Sequence, residues 1–408
     1  MIRNMVKQSS IVCACALMFG CGGGQEDVGT TVIIDAAELV SFPAEASLQQ
    51  IQHVALAPSG EVWALQRTGD PHLFRFSAEG ELLSSFAVTG RARNQLSNPL
   101  WLMPTDDVRQ PMQVWDAGNR RVVMYGQNGA VADLFVVERS NGNVFAGIEN
   151  HSYGQPLKME RFGAGYLLLD HPDDLATTGD YLHSELLQLD AAGRRVGRLL
   201  DFDQEFSSGV ASLGRYADLL VPIPLWTTCP AGELVLLDPF SNQLRFYGSD
   251  GSILATDSVP TVRRPITEDD HQAYLQREFE LRWQEQRPGQ PVDSAVIERS
   301  IEDFLLHYWN RMSELGPPAV QIICAQDRQV WLQEFSTADN AIGYGTRWLV
   351  HSPGQVEPLR VKFPSGFQPW EIAGERAFGV LTGVEGGSVV AHVTLPPQAR
   401  TAGTAQQD

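Results

Sequence analysis

Lysine is almost missing from this chain of 408 residues, occurring only at positions 7, 158 and 362. Its 30 basic residues are outnumbered by 49 acidic ones, giving a formal charge of −19. A field of that sign repels phosphate backbones, so nucleic acid is excluded as an expected partner. Cysteine is scarce too, with five residues, three of them within the first 21 positions. Beyond those positions the chain has no HExxH, no G-x-S-x-G, no P-loop and no CxxC pair, and its nine His are scattered singly. No cofactor and no metal are therefore expected from motif spacing. No later apolar run reaches the roughly 18 residues that a membrane span requires.

The first twenty residues carry Arg3 and Lys7, no acid, and an apolar run from Ile11 to Phe19. A run this short fits a secretory signal and is too short to cross a bilayer. The junction "LMFGCGGGQED" resembles a bacterial lipoprotein signal, in which a small residue precedes a lipidated Cys. The resemblance implies Cys21 as the first residue of the mature chain, with Cys15 in "VCAC" as the rival and an ordinary cleaved signal as the alternative. Residues 1–20 are then the signal and 21–29 a flexible tether. The expected address is the bacterial cell envelope, by lipid anchor, at the outer membrane facing the periplasm. Loss of Arg3 and Lys7 makes the mature chain more acidic still.

A repeat organises the remainder. "GEVWALQRTGDPHLFRFSAEGELLSSF" (Gly60 to Phe86) recurs in sense as "MQVWDAGNRRVVMYGQNGAVADLF" (Met112 to Phe135) and as "GELVLLDPFSNQLRFYGSDGSIL" (Gly232 to Leu254). Looser copies start at Gly165 and Arg328, and a sixth, from Gly374, stops before its last strand. Alternating apolar and polar residues between Gly, Asn or Asp turns predict antiparallel strands. Units of this size predict four-stranded propeller blades. The pattern of Asp116, Asn119, Arg120, Val122 and Gly129 resembles NHL-type repeats, and the layout is similar to six-bladed propeller lipoproteins of exported bacterial proteins. The expected fold is all-β, a six-bladed β-propeller over residues 30–397, with 398–408 a disordered tail. "TTVIID", from Thr30 to Asp35, is expected to pair on the incomplete sixth blade, closing the ring and covering its exposed edges.

Aligning the copies sorts six of the nine Trp into two columns. Trp63, Trp115 and Trp331 share a position with Leu167, Val235 and Phe378, a uniformly large apolar set that reads as core between blades. On the preceding, innermost strand stand Val54, Trp101, Lys158, Trp226, Gln321 and Trp370. Lys is rarely buried without a partner, so this mixed column has two readings. It lines a concave ligand site at the channel mouth, or its Trp pack between blades while Lys158 pairs with Glu160 or another carboxylate. Ala57, Arg161, Cys229, Cys324 and Ala373 follow three residues later. Cys229 and Cys324 thus fall at equivalent positions of neighbouring blades. Inner strands are expected to lie slightly beyond the roughly 7 Å limit of a disulfide, which favours two buried small residues and leaves a bridge as the alternative.

Between the fourth and fifth copies, residues 265–317 read as a helical hairpin. Thr267 with Glu268, Asp269 and Asp270 makes an N-cap and acidic first turn. "RPGQP" breaks the pattern. A second helix from Asp293 or Ser294 carries Ile297, Ile301, Phe304, Leu305, Tyr308 and Met312 on one stripe. The hairpin covers a propeller face as a lid or wall, packs structurally, or exposes Trp283, Phe304 and Trp309 to a partner.

These features predict a membrane-anchored binding module in preference to an enzyme. Trp101, Lys158, Trp226, Gln321 and Trp370 would receive a small molecule, glycan or peptide at the channel mouth, and the insertion could take an envelope protein. The alternative is an axial-metal hydrolase or lyase of the lactonase type, for which Glu160 and Glu371 are the inner-strand candidates. The Glu-Gly-Pro-x-Trp opening of that family is absent.

Overall fold

Period-two alternation interrupted by turn residues yields one antiparallel sheet per sequence repeat. The computed structural model describes residues 31–42, 48, 51–67, 69–137, 158–170, 185–201, 224–238, 241–261, 263–287, 290–308, 315–336, 346–353, 357–384 and 387–400. The expected signal, tether and Cys21 lie outside the described residues. Among the described residues six sheets of four or five strands form, with one two-stranded pair, Val88–Thr89 and Gln95–Leu96, beside them, and the protein is a six-bladed β-propeller. The innermost strands are Ile51–Leu56, Pro99–Pro104, Met159–Phe162, Leu225–Thr228, Ala319–Cys324 and Phe367–Ala373 for sheets one to six. Each touches the inner strands on either side, and that of sheet six touches that of sheet one.

Sheet-on-sheet contact explains the burial pattern. The second strands Val62–Gln66, Met112–Asp116, Leu234–Asp238 and Val330–Glu334 are buried at every position, because a neighbouring sheet covers each face. Outer strands such as Leu82–Phe86 and Ile253–Ser258 stay largely exposed. The first column is core as expected: Trp63, Trp115, Trp331, Leu167 and Val235 are fully buried, and Phe378 nearly so. Truncating one such Trp to Ala costs about 3–5 kcal/mol. At Gly129, φ is 75°, and a Cβ there would meet the Phe86 ring of sheet one at 2.9 Å. Both the turn and the neighbouring sheet therefore demand glycine.

Two residues of the repeat pattern, Asp116 and Asn119, form a structural lock with Arg121. The fully buried Asp116 carboxylate accepts from Ser97 N at 3.0 Å, Asn98 N at 3.1 Å, Asn119 Nδ2 at 2.7 Å and Arg121 Nε at 3.2 Å. It satisfies the chain entering sheet two and the turn inside it at once. Asp238 and Arg245 repeat the pair in sheet four at 3.0 Å.

The N-terminal segment corrects one expectation. Thr31–Ile33 of "TTVIID" lies parallel on Leu359–Lys362 as a fifth strand of sheet five, not on sheet six. Asp35 then caps a 3-10 turn at Ala36–Glu38 by accepting from Ala37 N at 2.9 Å, which turns the chain toward the next sheet. There Leu39–Ser41 pairs antiparallel with Gly387–Thr394 as the outer strand of sheet six. At the other end, the expected disordered tail is packed through its first residues. Pro397–Ala399 form a 3-10 turn, Ala399 is fully buried, and Arg400 pairs with Glu375 at 2.6 Å.

A second correction concerns the cysteines. Cys229 and Cys324 form a disulfide joining the inner strands of sheets four and five, with Cα atoms 4.9 Å apart. Near the axis the strands converge more than the sequence suggested, well inside bonding range. An Arg328–Glu233 ion pair ties the same two sheets.

Two helices, α1 at Glu268–Gln286 and α2 at Ser294–Tyr308, occur between sheets four and five. Thr267 and Asp270 form a reciprocal capping box on α1. Tyr274, Leu275, Ile297, Ile301 and Phe304 pack together and against Phe335 and Val320 of sheet five. Phe304, one of three aromatics considered for a partner, is therefore buried. Trp283 is half-buried, donates to Pro291 O at 3.0 Å and stacks under Arg287. Trp309 lies outside the described residues.

Because the disulfide spans 95 positions, changing both Cys229 and Cys324 to Ala is expected to lower the unfolding free energy by about 2–4 kcal/mol. A guanidinium titration reads this as a lower midpoint.

Candidate functional site

One side chain from each sheet reaches the axis. His53 comes from sheet one, Trp101 from sheet two, Lys158 at the entry to sheet three, Trp226 from sheet four, Gln321 from sheet five and Trp370 from sheet six. Five of these are the mixed column expected from sequence. The sheet-one member differs, since Val54 is fully buried between sheets one and six and its neighbour His53 takes the place. The cause is a set of β-bulges. Register shifts at Ile51/His53, Ala319/Gln321 and Pro369/Glu371 each insert a residue into an inner strand. A bulge re-aims the side chains beside it.

The ring is held by aromatic and cationic contacts. His53 lies 4.2 Å from the Trp101 ring and 5.0 Å from Trp370, and the two indoles meet nearly edge-to-face at 5.9 Å. The Lys158 ammonium lies 4.9 Å over Trp101 and 4.6 Å over Trp226, and donates to Trp226 O at 2.7 Å. Glu160 is its counter-ion. Glu160 also accepts from Thr227 Oγ1 at 3.1 Å, from Thr228 Oγ1 at 2.9 Å and from Thr228 N, so it staples sheet three to sheet four. On the other side Gln321 Nε2 donates to Pro369 O at 3.2 Å, and Gln368 bridges the amides of Gln321 and Gln333.

Burial separates the members. Trp101, Lys158, Gln321 and Trp370 are partly exposed, whereas Trp226 is only 3% exposed and packs with Leu167, Leu169 and Leu236. Trp226 is therefore a wall beneath Lys158 rather than an open platform, as the second reading of the column anticipated for it. In this ring His53 Nδ1 and Trp226 Nε1 are buried with no hydrogen-bond partner, as are the core indole nitrogens of Trp63, Trp115 and Trp348. Such groups are uncommon, and each costs about 1–3 kcal/mol.

The electrostatics follow from dehydration. Burial, helped by the nearby Lys158 charge, lowers the His53 pKa to about 3, so the imidazole is neutral. Burial also lowers the Lys158 pKa, against the opposing pull of Glu160. Glu371, half-buried beside Trp370, is pushed up to about 7 by burial, opposed by a hydrogen bond from Leu56 N and reinforced by the like charge of Glu160. His53 had carried no role in the sequence reading, and Glu371 only that of a candidate ligand to an axial metal. Position next to the Trp column was the available signal, but the bulges that aim them have none.

An axial metal of the lactonase kind does not fit these residues. Glu160 spends both oxygens on Lys158, Thr227 and Thr228. Among the described residues no group of three or more His, Cys, Asp or Glu side chains is arranged to hold a metal ion.

No family model and no curated protein matches the chain. Solved structures do. An exported protein from Bacteroides fragilis is 8% identical over 90% of this chain and 100% of its own, with a TM-score of 0.49. Regucalcin, a calcium-binding protein from Agrobacterium tumefaciens, is 10% identical over 90% of this chain and 96% of its own, with a TM-score of 0.46. Virginiamycin B lyase from Staphylococcus aureus is 9% identical over 88% and 98%, with a TM-score of 0.41.

Replacing Lys158 by Met keeps the apolar stem over the indoles but leaves Glu160 buried and uncompensated. The expected loss is about 3–5 kcal/mol, and adding Glu160→Gln restores most of it. Urea unfolding of the three variants checks both halves.

Proposed function

We propose that the protein is an exported binding propeller, lipid-anchored through Cys21 to the cell envelope at the outer membrane facing the periplasm, and that it recognises its ligand where the six inner strands begin. The single observation that carries this reading is the partly exposed pair Trp101 and Trp370, set around the unsatisfied His53 on a base of Lys158 and Trp226. Flat rings with polar neighbours suit a small molecule, a glycan or a peptide. Gln321 supplies an amide edge, and Trp226 acts through Lys158. In this reading Leu39–Ser41 is the clasp that closes the ring. The α1–α2 hairpin forms one wall of the mouth, because its core reaches Val320, the residue before Gln321. The same hairpin offers a second surface to an envelope protein.

The binding role is tested by tryptophan fluorescence of the mature chain, titrated with a panel of neutral disaccharides and small aromatic compounds. A hit should weaken at least tenfold, ~1.4 kcal/mol, in the Trp101→Ala, Trp370→Ala variant. Unchanged affinity in a folded variant would remove the site. The anchor is tested by Cys21→Ser, expected to move the protein from the membrane fraction to the soluble fraction of expressing cells and to abolish incorporation of labelled fatty acid.

A further inference from the structure

Asp116, Glu160, Asp238 and Glu334 are buried carboxylates, and each has a cation beside it: Arg121 at 3.2 Å, Lys158, Arg245 at 3.0 Å and Arg360 at 3.3 Å. Glu371, which is partly exposed, is a different case. Its carboxyl, on the innermost strand of sheet six directly after Trp370, takes a hydrogen bond from Leu56 N of sheet one and feels the like charge of Glu160 from sheet three. Among the described residues no Lys or Arg pairs with it. The other titratable groups at the axis are Lys158, already bound to Glu160, and the neutral His53. With Glu371 ionised the cluster carries one uncompensated negative charge.

The same ring shows which cation its walls accept. The ammonium of Lys158 sits over two indoles, Trp101 and Trp226. An aromatic wall of this kind favours an organic ammonium by about 0.5–2 kcal/mol. His53 Nδ1, unpartnered in a residue 6% exposed, can accept an N–H bond when the ring carries its proton on Nε2.

Resting on the recognition site proposed above, we infer that the ligand is an organic cation, an amine or quaternary ammonium, held with Glu371 as its counter-charge and Trp101 and Trp370 as its walls. Glu371 exchanges its proton for the ligand. The carboxyl is largely protonated below about pH 7, so binding there releases a proton, and affinity rises as the pH passes upward through that value.

The probes are n-butylammonium, tetramethylammonium, 1-butanol and butyrate, titrated calorimetrically into the mature chain at pH 5.5 and 8.5. At least one of the two ammonium probes is expected to bind at pH 8.5, at least tenfold more weakly at pH 5.5, and more tightly than the alcohol or the carboxylate. Glu371→Gln should weaken that probe at least tenfold at pH 8.5 and erase its pH dependence without lowering the unfolding midpoint. Equal ammonium binding in folded Glu371→Gln would overturn the inference. Preferential binding of 1-butanol or butyrate, lost in Trp101→Ala, Trp370→Ala, would overturn the cation assignment while leaving the recognition site in place. Failure of all four probes would overturn the cation assignment too, and the site would then stand or fall on the neutral panel.

Discussion

Everything in this molecule depends on the second strand of each sheet being apolar on both faces. Such a strand cannot exist at the edge of a two-layer sandwich, where one face would meet water. It needs a neighbouring sheet on either side, and a ring gives every sheet two neighbours. Trp63, Trp115 and Trp331, all fully buried, are the large groups that fill the wedge between successive sheets. Once the ring is imposed, the six inner strands must converge on an axis, and whatever they carry is forced together. The axial cluster is thus a by-product of core packing, and the sequence can load it with chemistry at little cost to the fold.

That loading is uneven around the axis. The junction of sheets three and four is ionic, through Lys158, Glu160, Thr227 and Thr228. The junction of four and five is covalent. Five and six meet through glutamine amides, and six, one and two through the rings of Trp370, His53 and Trp101. The aromatic sector combines two partly exposed indoles with one unsatisfied polar atom, His53 Nδ1. The ionic and covalent sectors are spent on holding sheets together.

The blade repeat was readable because strand period and turn glycines are local properties of the chain, and Gly129 at φ 75° shows how directly such a turn writes itself into sequence. The Trp63 column was readable for the same reason. The mixed column was read one residue out in sheet one, where Val54 was expected and His53 is found. An extra residue in a bulged strand leaves no mark in a hydropathy pattern. The Cys229–Cys324 bridge depends on how closely two strands approach in space, which equivalence of position does not specify. "TTVIID" was placed on the wrong sheet because its apolar alternation fits any open edge, and the 3-10 turn at Asp35 that divides the segment is a small signal. Glu371 needed the most structure of all, since its character comes from what surrounds it at the axis.

The bridge from Cys229 to Cys324 encloses the outer three strands of sheet four and the whole α1–α2 hairpin in one covalent loop. A protease that cut the segment between the two helices would therefore liberate no fragment. Both new ends would stay attached to the same body, on sheets still bonded at the axis. The hairpin is in this sense an appendage whose backbone continuity is dispensable after folding, because its core stays packed on Phe335 and Val320 whether or not the connecting segment is intact.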